Sequence, residues 1–163
     1  MIQKKICLLG ATGVGKTSLV KQYVEGIFSE KYLTSIGVKI DKKEVEVVEQ
    51  IVQLMLWDIE GIDRYCGFQA KYLRGASAYI LVTDQTRSQS MTEGLEIQAL
   101  IKEVADIPGV LAINKADLPA TWHWSENEID HIKSQFALSC ITSAKTGEGI
   151  ESMFASLAAL LVD

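Results

Sequence analysis

A chain of 163 residues is long enough for one domain with a sizeable hydrophobic core. Its net charge of −5 argues against nucleic acid as a partner, and its three cysteines, an odd number, favour a reducing cytoplasmic location over a disulfide framework. No apolar run approaches the about 18 residues of a membrane span, and neither end offers a glycine or cysteine for a lipid, so we expect no direct membrane anchor in this chain.

Strands and helices alternate along the chain. Short apolar or alternating runs predict the strands, and apolar residues three and four apart predict the helices. The predicted strands cover about residues 3–9, 38–48, 51–57, 78–82, 110–113 and 138–141. The predicted helices cover about 16–25, 88–105 and 125–136, with a helical piece near 69–73 and a last helix from about 150.

This alternation predicts an α/β fold with a mainly parallel sheet covered by helices on both faces. The strand over 38–48 alternates apolar and polar residues, so we expect it at a sheet edge, with 51–57 returning antiparallel. Ser125 is expected to cap the helix that follows it. Two helices show one apolar face each, formed by Ile97, Ile101 and Val104, and by Ile150, Met153, Phe154, Leu157, Leu160 and Leu161.

The segment over residues 10–17, GATGVGKT, fits the pattern G-x-x-x-x-G-K-S/T at every fixed position. A strand is predicted before it and a helix after it, so backbone N–H groups converge at a helix N-terminus, where anions bind. We expect this loop to hold a polyphosphate, with Lys16 on the outer phosphates and the Thr17 hydroxyl on Mg²⁺. The residues assigned to the nucleotide here are Gly13, Val14, Gly15, Lys16, Thr17 and Ser18.

Two polar segments that follow successive strands predict which base is bound. Asp117, in the segment NKAD over residues 114–117, can accept hydrogen bonds from N1–H and the 2-amino group of guanine, whereas adenine offers neither donor. Lys115 is expected along the face of the base, and Asn114 is expected to brace the loop. The second segment comprises Ser143, Ala144 and Lys145, and its Ala144 N–H can donate to guanine O6.

With these motifs together, the sequence resembles the Ras-superfamily small GTPases, and within them it is most similar to the Rab-like branch. The resemblance is carried by residues 10–17, 36–38, 114–117 and 142–147, with Trp57, Asp58, Gly61, Leu81, Val82, Asp84 and Thr86. It implies one GTPase domain over residues 1–163, with a six-stranded sheet, one antiparallel edge strand and five helices.

The same resemblance implies a molecular switch. Its ligands are GTP and GDP, its metal is Mg²⁺, and its reaction is hydrolysis of GTP to GDP and phosphate. Loops over about residues 27–37 and 59–74 relax when the γ-phosphate leaves. Effectors, exchange factors and activating proteins are the implied partners.

Individual roles also follow from the resemblance. It places Phe28 against the guanine and gives Ser35 the task of completing the Mg²⁺ shell, while Asp58 holds the ion through a water. The Gly61 N–H contacts the γ-phosphate, so Lys16 and Gly61 are the catalytic assignments.

Three positions depart from the family pattern. Ile62 stands where a glutamine usually orients the attacking water. Ser35 stands where the first switch has a threonine, and the neighbouring Thr34 leaves open a shift of one residue. Thr12 places a side chain on the route that a partner's arginine would take.

These departures predict slow intrinsic hydrolysis and leave open what orients the water. Glu60, Asp63 or Gln69 can do so, or a partner can supply the missing group. The rival interpretation is an interaction module that binds GTP or GDP and does not cycle. An ATP-dependent enzyme is disfavoured by Asp117.

One tryptophan- and histidine-containing segment stands apart from these motifs. The spacing of His123 and His131 does not indicate zinc, and both are expected at the surface. Trp122 and Trp124 are expected to pack on the helix that follows, with a contact surface as the alternative.

Overall fold

The computed structural model describes residues 2–26, 37–60 and 70–162. Its elements follow the predicted order. They are β1 (Ile2–Gly10), α1 (Lys16–Glu25), β2 (Gly37–Val47), β3 (Gln50–Glu60), a short 3₁₀ helix (Ala70–Leu73), β4 (Ala76–Asp84), α2 (Ser88–Val104), β5 (Gly109–Asn114), α3 (Glu126–Lys133), β6 (Leu138–Ile141) and α4 (Ile150–Leu161).

The strands form one six-stranded sheet in the order β2-β3-β1-β4-β5-β6. Five strands run parallel and β2 is the antiparallel edge strand, which confirms the predicted fold class. The exception has a local cause: Val48 and Glu49 turn the chain with φ of 40° and 66°, and two residues of positive φ make a tight hairpin. The predicted strands 38–48 and 51–57 left residues 49–50 for the turn, and the observed turn lies one residue earlier.

The core has two layers because successive residues of the central strands face opposite sides of the sheet. On one side, Ile6 and Leu8 of β1 pack with α1 and α4, where the rings of Tyr23 and Phe154 stack at 3.9 Å. On the other side, Cys7 lies among residues of α2 and α3. Helices thus cover both faces, as predicted.

Two apolar residues assigned to buried helix faces are exposed, and so is one apolar residue of the edge strand. Val104 is 52% exposed because α2 ends there and the chain turns back toward β5. Leu160 is 42% exposed because the buried stripe of α4 runs through Leu157 and Ala158 instead, as a period of 3.6 requires. Ile40 of the edge strand is 45% exposed.

Helix boundaries differ from prediction in two places. The helix predicted over 125–136 ends at Lys133, after which Gln135 and Phe136 each donate to the carbonyl three residues back and tighten the chain. Its start is confirmed, because Ser125 caps it. The piece predicted near 69–73 is the 3₁₀ helix, so the described residues hold four α-helices rather than five. None of the helices in the described ranges has the length and hydropathy needed to cross a membrane.

The parallel strands end together at one edge of the sheet. The register aligns Gly10 with Val82, Asp84 with Asn114, and Ile113 with Ile141. The loops that follow β1, β4, β5 and β6 therefore meet at this edge, where open α/β sheets bind ligands.

Candidate nucleotide-binding site

The glycine-rich loop that follows β1 has a backbone that other residues cannot easily adopt. Gly13 has φ of 84° and Gly15 has φ of 98°, both in the left-handed region. A Cβ on Gly15 would lie 2.5 Å from Asn114 Nδ2, so a side chain is excluded there by space as well. Gly15, a fixed glycine of the motif, is thus required by the geometry, and Gly13, at one of the variable positions, has a backbone that also favours glycine.

The loop leads directly into the N-terminus of α1. Gly15 occupies the capping position with no side-chain hydrogen bond, and no acidic residue lies in the first turn. Lys16 is the first residue of the helix and is only 2% exposed, while Ser18 is half-buried in the same turn. Backbone N–H groups and the helix dipole both favour an anion at such an end.

Thr17 and Asp58 meet beside this loop. The Thr17 hydroxyl donates to Asp58 Oδ2 at 2.7 Å, and Asp58 is 1% exposed near the end of β3. A hydroxyl and a carboxylate are hard oxygen ligands, and Mg²⁺ commonly binds one or two carboxylates together with phosphates and waters. These two residues fit that role. Across the described ranges, no three His, Cys, Asp or Glu side chains converge on a possible metal position.

Asn114 joins three loops from the end of β5. Its Nδ2 donates to the Val14 carbonyl at 3.0 Å, and its Oδ1 accepts from Thr142 Oγ1 at 3.1 Å and from the Ala144 N–H at 3.3 Å. Asn114 is 1% exposed. The Ala144 N–H, which the sequence analysis assigns to guanine O6, is thus held by Asn114 here. A base at that position would have to share or replace this bond.

Asp117 is positioned by the loop that follows β6. Ser143 Oγ donates to Asp117 Oδ1 at 2.7 Å and accepts from the Thr146 N–H at 3.1 Å. Ser143 is 1% exposed, whereas Asp117 is exposed, as is Lys145, two residues after Ser143. The carboxylate is therefore fixed from behind while it stays accessible to a ligand.

Lys115 and Asp84 form a second link between these loops. Lys115 has φ of 66°, a strained backbone for a lysine, and its Nζ lies 2.9 Å from Asp84 Oδ2. The Asp84 side chain is fully buried at the end of β4. Burial raises the pKa of this carboxyl, but hydrogen bonds from Thr86 and Lys115 outweigh it, so the pKa is lowered and the group stays ionised.

Arg87 makes a further polar contact to the phosphate loop. Its Nε lies 3.2 Å from Asp84 Oδ2, and its Nη2 donates to the Thr12 carbonyl at 2.8 Å. Neither role was predicted from the sequence, which marked Asp84 only as a shared family residue. The sequence does indicate the position of Asp84, which lies at the end of an apolar strand as Asn114 does, but it does not indicate the partners of Asp84 or of Arg87.

Several predicted site residues lie outside the described residues. They are Phe28, Thr34, Ser35, Gly61, Ile62, Asp63 and Gln69. They belong to the two predicted switch loops, of which the structure describes only the ends.

The tryptophan-containing segment packs on the core as predicted, but its hydrogen bond joins it to α2 rather than to the helix that follows it. Trp122 and Trp124 lie against the core layer beneath α2, and Trp124 Nε1 donates to the Ser88 carbonyl at 3.3 Å. His123 is exposed and its Nδ1 lies 2.9 Å from Ser88 Oγ, while His131 is exposed on α3.

Comparison with known proteins gives a consistent result. The family model described as the Ras family matches residues 5–163. The chain is 32% identical to the Ras-related protein Rab-1 of Theileria parva over 98% of this chain and 74% of that protein. It is 32% identical to the Ras-related protein Rab7 of Drosophila melanogaster over 94% of this chain and 78% of that protein. It is 33% identical to the Ras-related protein RabJ of Dictyostelium discoideum over 99% of this chain and 64% of that protein.

Proposed function

Because the chain belongs to the Ras family, on its Rab-like branch, we propose that it is a guanine-nucleotide switch that cycles between GTP and GDP with slow intrinsic hydrolysis. Family membership supports GTP binding and GTPase activity in general. The slow rate and the assignment of individual residues are specific to this proposal. The proposal treats residues 1–163 as one GTPase domain with a cytoplasmic location.

The observation that carries the proposal is the hydrogen bond between Asn114 Nδ2 and the Val14 carbonyl. It ties the loop that would read the base to the loop that would hold the phosphates. In the proposed site one nucleotide contacts both loops, so one buried side chain fixes the base end and the phosphate end relative to each other. Asp117 at the base end supports guanine over adenine, because guanine alone offers it two donors.

In the proposed site, the phosphates lie at the N-terminus of α1, where Gly13, Gly15 and Lys16 offer N–H groups and a cation. Thr17 directly and Asp58 through a water would hold Mg²⁺, which would neutralise charge on the phosphates. Lys16 withdraws charge from the outer phosphates as the bond to the γ-phosphate breaks.

The base end and the switch loops complete the assignment. Asp117 and Lys115 hold the guanine, with Ser143, Ala144 and Lys145 beside it and Phe28 against its ring. Ser35 and the Gly61 N–H are proposed to detect the γ-phosphate, Ser35 through Mg²⁺. Loss of that phosphate then releases the loops over about 27–37 and 59–74 and any effector that prefers them ordered.

The slow rate is supported by Ile62. Its side chain has no polar atom to orient a water, so the chain relies on another residue or on an activating protein. Thr12, which is exposed, supports the same view because its side chain lies on the phosphate loop where a partner's arginine would enter.

Those two residues also favour a second candidate function, an interaction module that keeps its nucleotide and turns over negligibly. Nucleotide content together with single-turnover hydrolysis separates the two. The protein is purified with Mg²⁺, denatured, and the released nucleotide is identified by ion-exchange chromatography. Bound GDP and measurable hydrolysis support the switch, whereas persistent GTP supports the module. Bound ATP, or binding of no guanine nucleotide, would overturn both.

A further inference from the structure

We propose that Arg87 is a positioning residue for the phosphate loop, which it holds from outside by fixing the peptide plane between Thr12 and Gly13. This inference rests on the proposed function, since it concerns how tightly the same site keeps its nucleotide. The residue lies at the N-terminus of α2, outside every motif that the sequence analysis assigned.

The geometry of the peptide bond sets the direction of the Gly13 N–H. In a trans peptide the C=O and the next N–H lie in one plane and point in opposite directions. No cis peptide occurs in the described residues. The 2.8 Å bond from Arg87 to the Thr12 carbonyl therefore aims the Gly13 N–H away from Arg87.

Asn114 acts on the loop in the same way two residues later. Its bond to the Val14 carbonyl aims the Gly15 N–H away from Asn114. Two N–H groups of the loop are thus oriented by side chains that approach from other elements. A hydrogen bond from a cation to a carbonyl also polarises the peptide, which makes the opposite N–H a better donor to an anion.

The simplest alternative is that Arg87 only pairs with Asp84. Two observations weigh against it. Asp84 already accepts two bonds from Thr86 and one from Lys115, so it does not need Arg87 for charge balance. Arg87 also precedes the first turn of α2, which contains no acidic residue, and the helix dipole disfavours a cation at that end.

Asp84 then has a different task, which is to aim the arginine. Its carboxylate receives Arg87 Nε at 3.2 Å, and this leaves Nη2 directed at the phosphate loop. Because Asp84 also holds Lys115, one buried carboxylate serves both the base end and the phosphate end of the site.

The test measures release of a fluorescent GDP, N-methylanthraniloyl-GDP, from the full chain with Mg²⁺ after a chase with excess GDP. Arg87→Ala is expected to release it about 10-fold faster, because a charge-assisted bond to the loop is lost. Arg87→Lys is expected to release it at a rate between those of Arg87→Ala and the wild type, since lysine keeps a cationic donor but lacks the planar guanidinium. Lys102→Ala removes an exposed cation from the last turn of α2 and is expected to match the wild type.

A second readout separates positioning from general structural support. In ¹H–¹⁵N spectra of the GDP-bound protein, the Gly13 amide resonance is expected to move in Arg87→Ala and not in Lys102→Ala. Preference for guanine over adenine is expected to stay unchanged, because Asp117 is untouched. Circular dichroism checks that each variant is folded. If Arg87→Ala is unfolded, nucleotide release and the Gly13 resonance are compared between Arg87→Lys and the wild type instead.

If Arg87→Ala releases the nucleotide at the wild-type rate and the Gly13 resonance does not move, this inference is overturned and the proposed function is left intact. A changed purine preference in Arg87→Ala would also overturn this inference, because the substitution would then act through Asp84 on Lys115, at the base end of the site. Failure of the wild type to bind guanine nucleotides would refute the proposed function and this inference together.

Discussion

Asn114, the last residue of β5, donates to the Val14 carbonyl at 3.0 Å and so connects the loop that would bind the base to the phosphate loop. The same buried amide accepts from Thr142 and from the Ala144 N–H. Three loops that are far apart in the sequence therefore depend on one side chain for their relative position.

Asn114→Ala is expected to weaken both stability and nucleotide binding. The substitution leaves three buried polar groups without their partner, and each such group costs about 1–3 kcal/mol. We expect the affinity for GDP to fall at least about tenfold and the midpoint of thermal unfolding to fall by several degrees. Asn127→Ala, an exposed position on α3, is the matched control. Normal GDP binding by Asn114→Ala would show that the loops are positioned by other contacts.

Ile62→Gln is expected to raise the rate of GTP hydrolysis. Glutamine supplies the amide that orients the attacking water, and isoleucine supplies no polar atom. We expect a wild-type single-turnover rate below the about 3–5 × 10⁻⁴ s⁻¹ of Ras proteins that carry this glutamine. Ile62→Ala is the control and is expected to stay slow. A fast wild type, or no gain from glutamine, would mean that another group orients the water.

Ser125→Ala is expected to destabilise the protein without touching the site. Ser125 Oγ accepts from the Glu128 N–H at 3.1 Å, and a lost cap of this kind costs about 1 kcal/mol. The midpoint of thermal unfolding should fall by about 2–4 °C. Ser152→Ala, which removes an exposed hydroxyl from α4, should have little effect. An equal change in both variants would argue against the cap.

Stability is expected to fall at alkaline pH because of Cys7. Burial raises the pKa of its thiol from 9.0 to about 11, so the unfolded chain loses this proton first. The unfolded state then binds fewer protons between about pH 9 and 11, and the free energy of unfolding falls as pH rises. In denaturant titrations over that pH range, the free energy of unfolding should fall by about 2 kcal/mol less for Cys7→Ala than for the wild type. Cys140→Ala, at a half-buried site, should change this slope less.

The sequence predicted the order of elements and the placement of the main motifs, because those depend on local patterns. Apolar or alternating runs marked every strand, and the glycine and lysine spacing marked the phosphate loop. The side chains that fix the loops to one another were predicted only for Asn114. Asp84 and Arg87 act across elements, on Lys115 and Thr12, and no local spacing reveals such contacts.

The predicted apolar helix faces included two residues that are exposed, for a related reason. Periodicity predicts which residues can share a face, but it does not say how far the partner layer extends. Val104 lies at the end of α2 and Leu160 beside the buried stripe of α4, and both are exposed. The Ala144 N–H illustrates the same limit, because its bond to Asn114 depends on tertiary structure.

The most direct test of the claim that Asp117 binds guanine is the purine preference of Asp117→Asn. It is measured by competition of GDP, xanthosine diphosphate (XDP) and ADP for the purified protein. Asparagine replaces one acceptor by a donor, so it suits xanthine, which carries a carbonyl where guanine carries an amino group. We expect GDP affinity to fall about 10- to 100-fold and XDP to become the better ligand, with Asp130→Asn on α3 unchanged. An unaltered preference for GDP in Asp117→Asn would contradict the assignment of Asp117 to the base.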